Sequence, residues 1–166
     1  MQALIKELEQ TKDELINVVS SISNDKIDTI PFEGSWTAGQ LLEHLCKGVS
    51  TGILRGNVQK VSRPADEKIA FVRSVFLDFT QKFNAPDFIV PVETTHNKAE
   101  QLSILTAKFD RLIEAVGTYD LTEECIDFAI PGFGNFTRME WIAFHMIHTQ
   151  RHLQQLKHIA AKLNTD

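Results

Sequence analysis

"FTRMEWIAFHMIHTQRH", residues 136–152, opens the longest helical pattern in the chain. Thr137 and Glu140 make a capping box, in which the threonine side chain accepts from the third helical residue and the glutamate returns the bond. Phe136 and Trp141 flank that box as a hydrophobic staple. Apolar residues then hold helical register to about Leu163, about 27 residues or about 40 Å. The same stretch carries His145, His148 and His152 on a helix whose other residues mark it as buried, so their role is a question of chemistry as well as of fold.

Working outward, the same entrance occurs a hundred residues earlier. In "WTAGQL" Thr37 and Gln40 form the box and Trp36 and Leu41 the staple, so a second helix starts at or near Thr37. Its stripe runs through Leu41, Leu45, Val49 and Ile53. Gly39, Gly48, Gly52 and Gly56 each lower its helicity by up to about 1 kcal/mol relative to Ala, which calls for compensation such as a close backbone approach. Leu4, Leu8, Leu15, Val18 and Ile22 define a first amphipathic helix from about residue 2 to 22. Asn97 and Glu100 box the start of a third, with Leu102, Leu105, Phe109, Leu112 and Val116 buried and Gly117 as its stop. Between the second and third of these, Pro64 opens a helical segment with Ile69, Val72, Phe76, Phe79 and Phe83 on its apolar face. "APDFIVPVETT" then runs as an extended crossover, because each proline restricts the residue before it. The expected fold is all-α: an antiparallel four-helix bundle with an extra helical segment in the crossover between helices 2 and 3, as one domain over 1–166.

A formal charge of −5 without a Lys/Arg block leaves no footprint for a phosphate backbone, which argues against nucleic acid as a partner. No apolar run reaches spanning length and the N-terminus is charged from Lys6 onward, so neither a membrane nor secretion is expected and the cytoplasm is the default. Cys46 and Cys125 stand alone in sequence, and neither a disulfide nor a thiolate zinc site is expected.

On a helical wheel with Trp141 at zero, His145 falls near 40°, His148 near −20° and His152 near 20°. The last two are therefore central on the inward face. Four residues apart, their Cβ atoms stand roughly 5–6 Å from one another, a spacing at which two imidazoles can close on one ion. Carbonyl- or carboxylate-bonded core histidines fit that pattern equally well. A third ligand must come from another helix. His44 sits at the margin of the helix-two stripe beside Gly48, whereas His145 is too near its neighbours on one helix to converge and reads as a packing or supporting residue. His96, in the crossover, is an outside candidate, and His158, near −100°, faces solvent.

Taken together, "WTAGQLLEH" (36–44), "PGFGNFTRMEW" (131–141) and "HTQRHLQQ" (148–155) resemble the DinB-like superfamily of damage-inducible-type proteins, a group also described as metal-dependent hydrolases or thiol transferases. The resemblance spans nearly the whole chain. It implies a four-helix bundle with one metal-binding histidine on the second helix and two, four apart, on the last, positions that His44, His148 and His152 match one for one. It also implies a homodimer. The chain departs from the common ending of the motif, which places Arg-Gly-Gln after the last ligand. Here Leu153, Gln154 and Gln155 follow His152, and only Gln155 matches.

Three imidazoles on one divalent ion leave a position open, the arrangement of a reactive rather than a closed structural site. Zinc is the default, with nickel, manganese or iron able to use the same ligands. The expected function is a metal-dependent enzyme acting on a small molecule, as a hydrolase or as an S-transferase of a low-molecular-weight thiol. The alternative is a non-enzymatic, stress-related binding or interaction protein with a vestigial or structural metal site. Glu43, Glu140 and Gln155 are candidates to orient the ligand rings, and Phe133, Phe136 and Trp141 to wall a cleft.

Overall fold

The computed structural model describes residues 1–165. Five α-helices are present among them: α1 (Gln2–Ser20), α2 (Ala38–Gly48), α3 (Ile69–Phe76), α4 (Lys98–Thr118) and α5 (Arg138–Leu163). Helices α1 and α2 each pack on both α4 and α5, whereas α4 and α5 meet only slightly, so the bundle places α1 opposite α2 and α4 opposite α5. The short α3 lies on α5. A two-stranded antiparallel ribbon, β1 (Val58–Gln59) with β2 (Glu124–Cys125), ties the loop after α2 to the loop before α5.

Leu8, Leu15, Leu45, Leu105, Phe109, Leu112 and Ile142 are fully buried, so the stripes read from the sequence do form one core. Both boxes close as expected. The Thr37 side chain accepts from Gln40 N at 3.1 Å while Gln40 Oε1 accepts from Thr37 N at 3.0 Å, and Thr137 and Glu140 repeat the exchange at 3.1 and 2.9 Å. The Phe136 and Trp141 rings stand 5.3 Å apart. Asn97 caps α4 by accepting from Glu100 N alone.

Several boundaries differ from the expected ones. Helix α1 stops at Ser20, two residues early, and α4 runs through Gly117 to Thr118. Helix α2 ends at Gly48 because Lys108 Nζ reaches across from α4 to the carbonyls of Cys46 and Val49 at 2.6 and 2.5 Å. Those carbonyls have no helical partner of their own at a C-terminus. Val49 is still buried, but beyond the helix. Residues 65–68 after Pro64 form turns, and α3 begins only at Ile69. Phe79 and Phe83 consequently lie in the connection from α3 to α4, which is irregular apart from one 3-10 turn at Asp87–Ile89.

Glycine in α2 has its expected compensation at one position. A Cβ on Gly39 would fall 2.6 Å from Asp28 Oδ1 and 2.7 Å from His96 Cβ, so the helix admits the α1–α2 loop and the crossover only because that Cβ is missing. The His96 side chain, only 4% exposed, is clamped there between Asp28 Oδ1 (2.5 Å) and Glu43 Oε2 (3.0 Å). Burial pushes its pKa down, but the hydrogen bonds to Glu43 and then Asp28 outweigh that, and the net shift is upward. A folded-state pKa above the unfolded value of about 6.5 gives stability that is complete below that value and lost as pH rises through the higher one. His96→Gln should remove this alkaline decline from urea-unfolding midpoints measured across neutral to mildly alkaline pH. An unchanged profile would mean that the clamp carries no charge.

No described helix is long and apolar enough to cross a membrane. Cys46 and Cys125 are both free thiols.

Candidate metal centre

His44 on α2 and His148 and His152 on α5 come together, all buried, with ligand atoms within 4.8 Å of one another. His148 Nε2 stands 3.3 Å from His44 Nε2 and 3.0 Å from His152 Nε2. Nitrogens bound at 2.0–2.1 Å to a tetrahedral ion are about 3.3–3.4 Å apart, close to what the chain holds ready. Gly48 on α2 lies beside the His148 ring, where a Cβ would stand at ordinary contact distance, 3.5 Å from Cε1.

The outer ring nitrogens say which inner ones carry protons. His44 Nδ1 faces the Ile89 carbonyl at 3.0 Å, an acceptor only, so Nδ1 holds the proton and Nε2 is a bare lone pair. His152 Nδ1 faces Gln155 Oε1 at 2.6 Å, with the same result. Two lone pairs thus aim at the ring of His148, which as a neutral imidazole has one proton to give and cannot satisfy both. A cation resolves that shortage, and this is the test the residues pass as a metal site.

Charge points the same way. Burial lowers the pKa of His44, pushes His148 well below its ordinary value, and takes His152 down to about 3, with the neighbouring His44 adding to the last. All three are therefore neutral at pH 7, the form that donates to a metal.

These histidines lie at the wall of a cleft of about 1560 Å³ between α2, α5 and the connection that follows α3. The sequence pattern of the DinB superfamily matches residues 7–156. The chain belongs to the DinB superfamily. YuaE of Bacillus subtilis strain 168, an uncharacterized protein, is 26% identical over 149 residues, 89% of this chain and 91% of YuaE. The solved structure of YfiT from Bacillus subtilis, described as a probable metal-dependent hydrolase with an unusual four-helix bundle topology, matches with a TM-score of 0.63. That match covers 98% of this chain and 87% of YfiT at 18% identity, a likeness of fold.

Of the ring-orienting candidates in this DinB-superfamily chain, only Gln155 does what was expected. Glu43 bonds His96, Lys47 and the backbone N–H of Val92, and Glu140 bonds Arg63. Neither reaches a ligand ring. The partner of His44 is a backbone carbonyl in the crossover, which no side-chain pattern announces. His96 is held away from the cluster by its two carboxylates. His145 lines the cleft one turn before His148 but joins no ligand set; its ring lies against Trp141 and Phe144, and burial takes its pKa down to about 4. His158 is exposed, against Phe32. Phe133 and Trp141 line the cleft, whereas Phe136 is wholly core.

Arg151, beside His152, was not singled out by the sequence. Its guanidinium donates to the carbonyls of Phe76, Asp78 and Gln81 at 2.8, 3.2 and 2.6 Å and lies 4.7 Å from the Phe83 ring centroid. It fixes the connection after α3 as the outer wall of the cleft.

Proposed function

We propose that this protein is a metal-dependent enzyme acting on a small molecule, with one divalent ion held by His44, His148 and His152. The observation that carries the reading is the convergence of bare imidazole lone pairs on one point at the wall of an open cleft. When bound, a divalent ion there supplies a Lewis acid with a coordination position left for a reactant. Zinc is the first candidate, and nickel, manganese or iron suit the same donors. The Ile89 carbonyl and Gln155 keep two of the rings in the right tautomer.

Between hydrolysis and thiol S-transfer, the cleft favours transfer. Asp127 is its one carboxylate among the described residues, and both its oxygens are taken by the backbone and side chain of Asn57 at 2.8 Å. With no free carboxylate beside the histidines, a reactant that gives up its proton easily is the better fit: a metal deprotonates a bound thiol outright, whereas it brings water only from about 15.7 to about 7–9. The assay compares metal-loaded and chelator-treated protein on two reactions: consumption of cysteine with an aromatic chloride, and hydrolysis of a nitrophenyl ester. Metal-dependent thiol consumption that vanishes in His148→Ala is expected. Metal-dependent ester cleavage alone would reverse the preference, and stoichiometric metal with neither reaction would favour a binding protein.

A further inference from the structure

Twelve large apolar side chains are exposed among the described residues, and six of them line this one cleft: Phe32, Phe79, Phe83, Phe88, Val90 and Phe128. An apolar surface concentrated in one concave place marks a binding site rather than scatter. The charges beside it are unlike those of the rest of the molecule. Over the chain acids outnumber Lys and Arg by 22 to 17, yet the cleft is lined by Lys47, Lys82 and Arg151 against Asp127 alone.

The three cations are not equivalent. Lys47 is answered by Glu43 at 2.7 Å and also donates to the Val90 carbonyl. Arg151 is bonded to carbonyls of the connection after α3. Lys82 is exposed, makes no hydrogen bond or ion pair with the described residues, and lines the cleft together with Phe79 and Phe83, which flank it in sequence. We propose that the cleft takes an aromatic small molecule bearing an anionic group, its rings lying against the phenylalanines of residues 79–88 and its charge paired with Lys82.

This deepens the reading of the cleft as a substrate site and rests on it, but neither Lys82 nor the phenylalanines are metal ligands, so the two can fail separately. The probes are 8-anilinonaphthalene-1-sulfonate and N-phenyl-1-naphthylamine, which share their rings and differ by the sulfonate. Both chain tryptophans, Trp36 and Trp141, line the cleft, so transfer of their fluorescence to the probe reports binding there. The whole protein is titrated with and without chelator.

The expected result is one site per chain that prefers the sulfonate. Lys82→Gln should weaken sulfonate binding about three- to fivefold and leave the neutral probe within about twofold, with Lys82→Glu weakening it further. Raised salt should erode the preference in the parent and not in Lys82→Gln. Phe79→Ala should weaken both probes by comparable factors; the residue is exposed, and an unchanged circular dichroism melt separates lost binding from lost fold. Equal affinity of the two probes for the parent, or an unchanged sulfonate preference in Lys82→Gln, would overturn the assignment. So would a dimer in sedimentation that excludes both probes, since a second copy of the chain would then cover the cleft. Loss of metal in the histidine variants with the sulfonate preference intact would leave this proposal standing, and failure of the parent to bind metal would count against the reaction alone.

Discussion

Protein purified without chelator should carry close to one divalent ion per chain, and His44→Ala, His148→Ala and His152→Ala should each carry almost none. The three rings converge from two helices, with Nε2 separations of 3.0 and 3.3 Å about His148, so no two of them reproduce the site. Gln155→Leu is the informative comparison. It leaves all three ligands but removes the acceptor that fixes the His152 tautomer, and a loss of about 10–100-fold in affinity is expected, smaller than for any ligand variant. Metal should also stabilise the parent, by about 2.7 kcal/mol at a free concentration one hundred times Kd, and should not stabilise the three alanine variants. Because burial holds all three rings below their ordinary pKa, protons compete poorly, and affinity should stay nearly level as pH falls from 8 to 6.5. Elemental analysis and thermal melts measure these. Metal retained by His44→Ala and lost by His145→Ala would place the site on the wrong residues.

Arg63→Met should cost about 3–5 kcal/mol, the largest single effect expected outside the core. Arg63 holds both oxygens of Glu140 at 2.7 Å and Glu124 Oε1 at 3.0 Å, and the Glu140 side chain is wholly buried. The same carboxylate closes the α5 capping box and accepts from Lys68 N at 2.9 Å, so the variant leaves a buried charge at the joint where α5, the β2 loop and the turn before α3 meet. At about 2–4 °C per kcal/mol for a chain of this size, the melting temperature should fall by roughly 6–20 °C. The double variant Arg63→Met with Glu140→Gln should recover most of the loss, since glutamine removes the charge and can still close the box as Gln40 does on α2. A loss below about 1 kcal/mol in the single variant would show that the network is exchanged for water at little cost.

Those contacts also mark where sequence reading stops. The starts of α2 and α5 were legible because a box is a short-range pattern: Thr37 with Gln40 and Thr137 with Glu140 are three residues apart, and both form. Helix ends were less so, because α2 ends where Lys108, 62 residues from Cys46, supplies the missing donor. The approach of His148 to His152 followed from their spacing, and the inward side of His44 from its resemblance to a motif. What orients the rings was only partly visible. Gln155 lies three residues from His152, whereas Ile89 acts on His44 through a backbone oxygen across 45 residues, which side-chain chemistry cannot encode. Two phenylalanines of the cleft were placed on the wrong kind of element for a similar reason. Phe79 and Phe83 fit a helical stripe, but the chain leaves the helix at Phe76 and Arg151 gathers the following carbonyls instead.

Arg151 holds that wall almost entirely by main-chain oxygens, and carbonyls are the same whatever side chains they carry. Side chains add the ring of Phe83 under the guanidinium and the Asp78 carboxylate, which accepts from Thr80 and Gln81. The scaffold thus keeps two things apart: the three converging histidines sit on α2 and α5, while the first half of the facing wall, residues 76–81, is tied to α5 through the Arg151 guanidinium. Residues 79–82 can therefore be randomised as a cassette, with the three histidines kept constant, to ask whether the cleft changes what it binds while the histidine cluster stays intact.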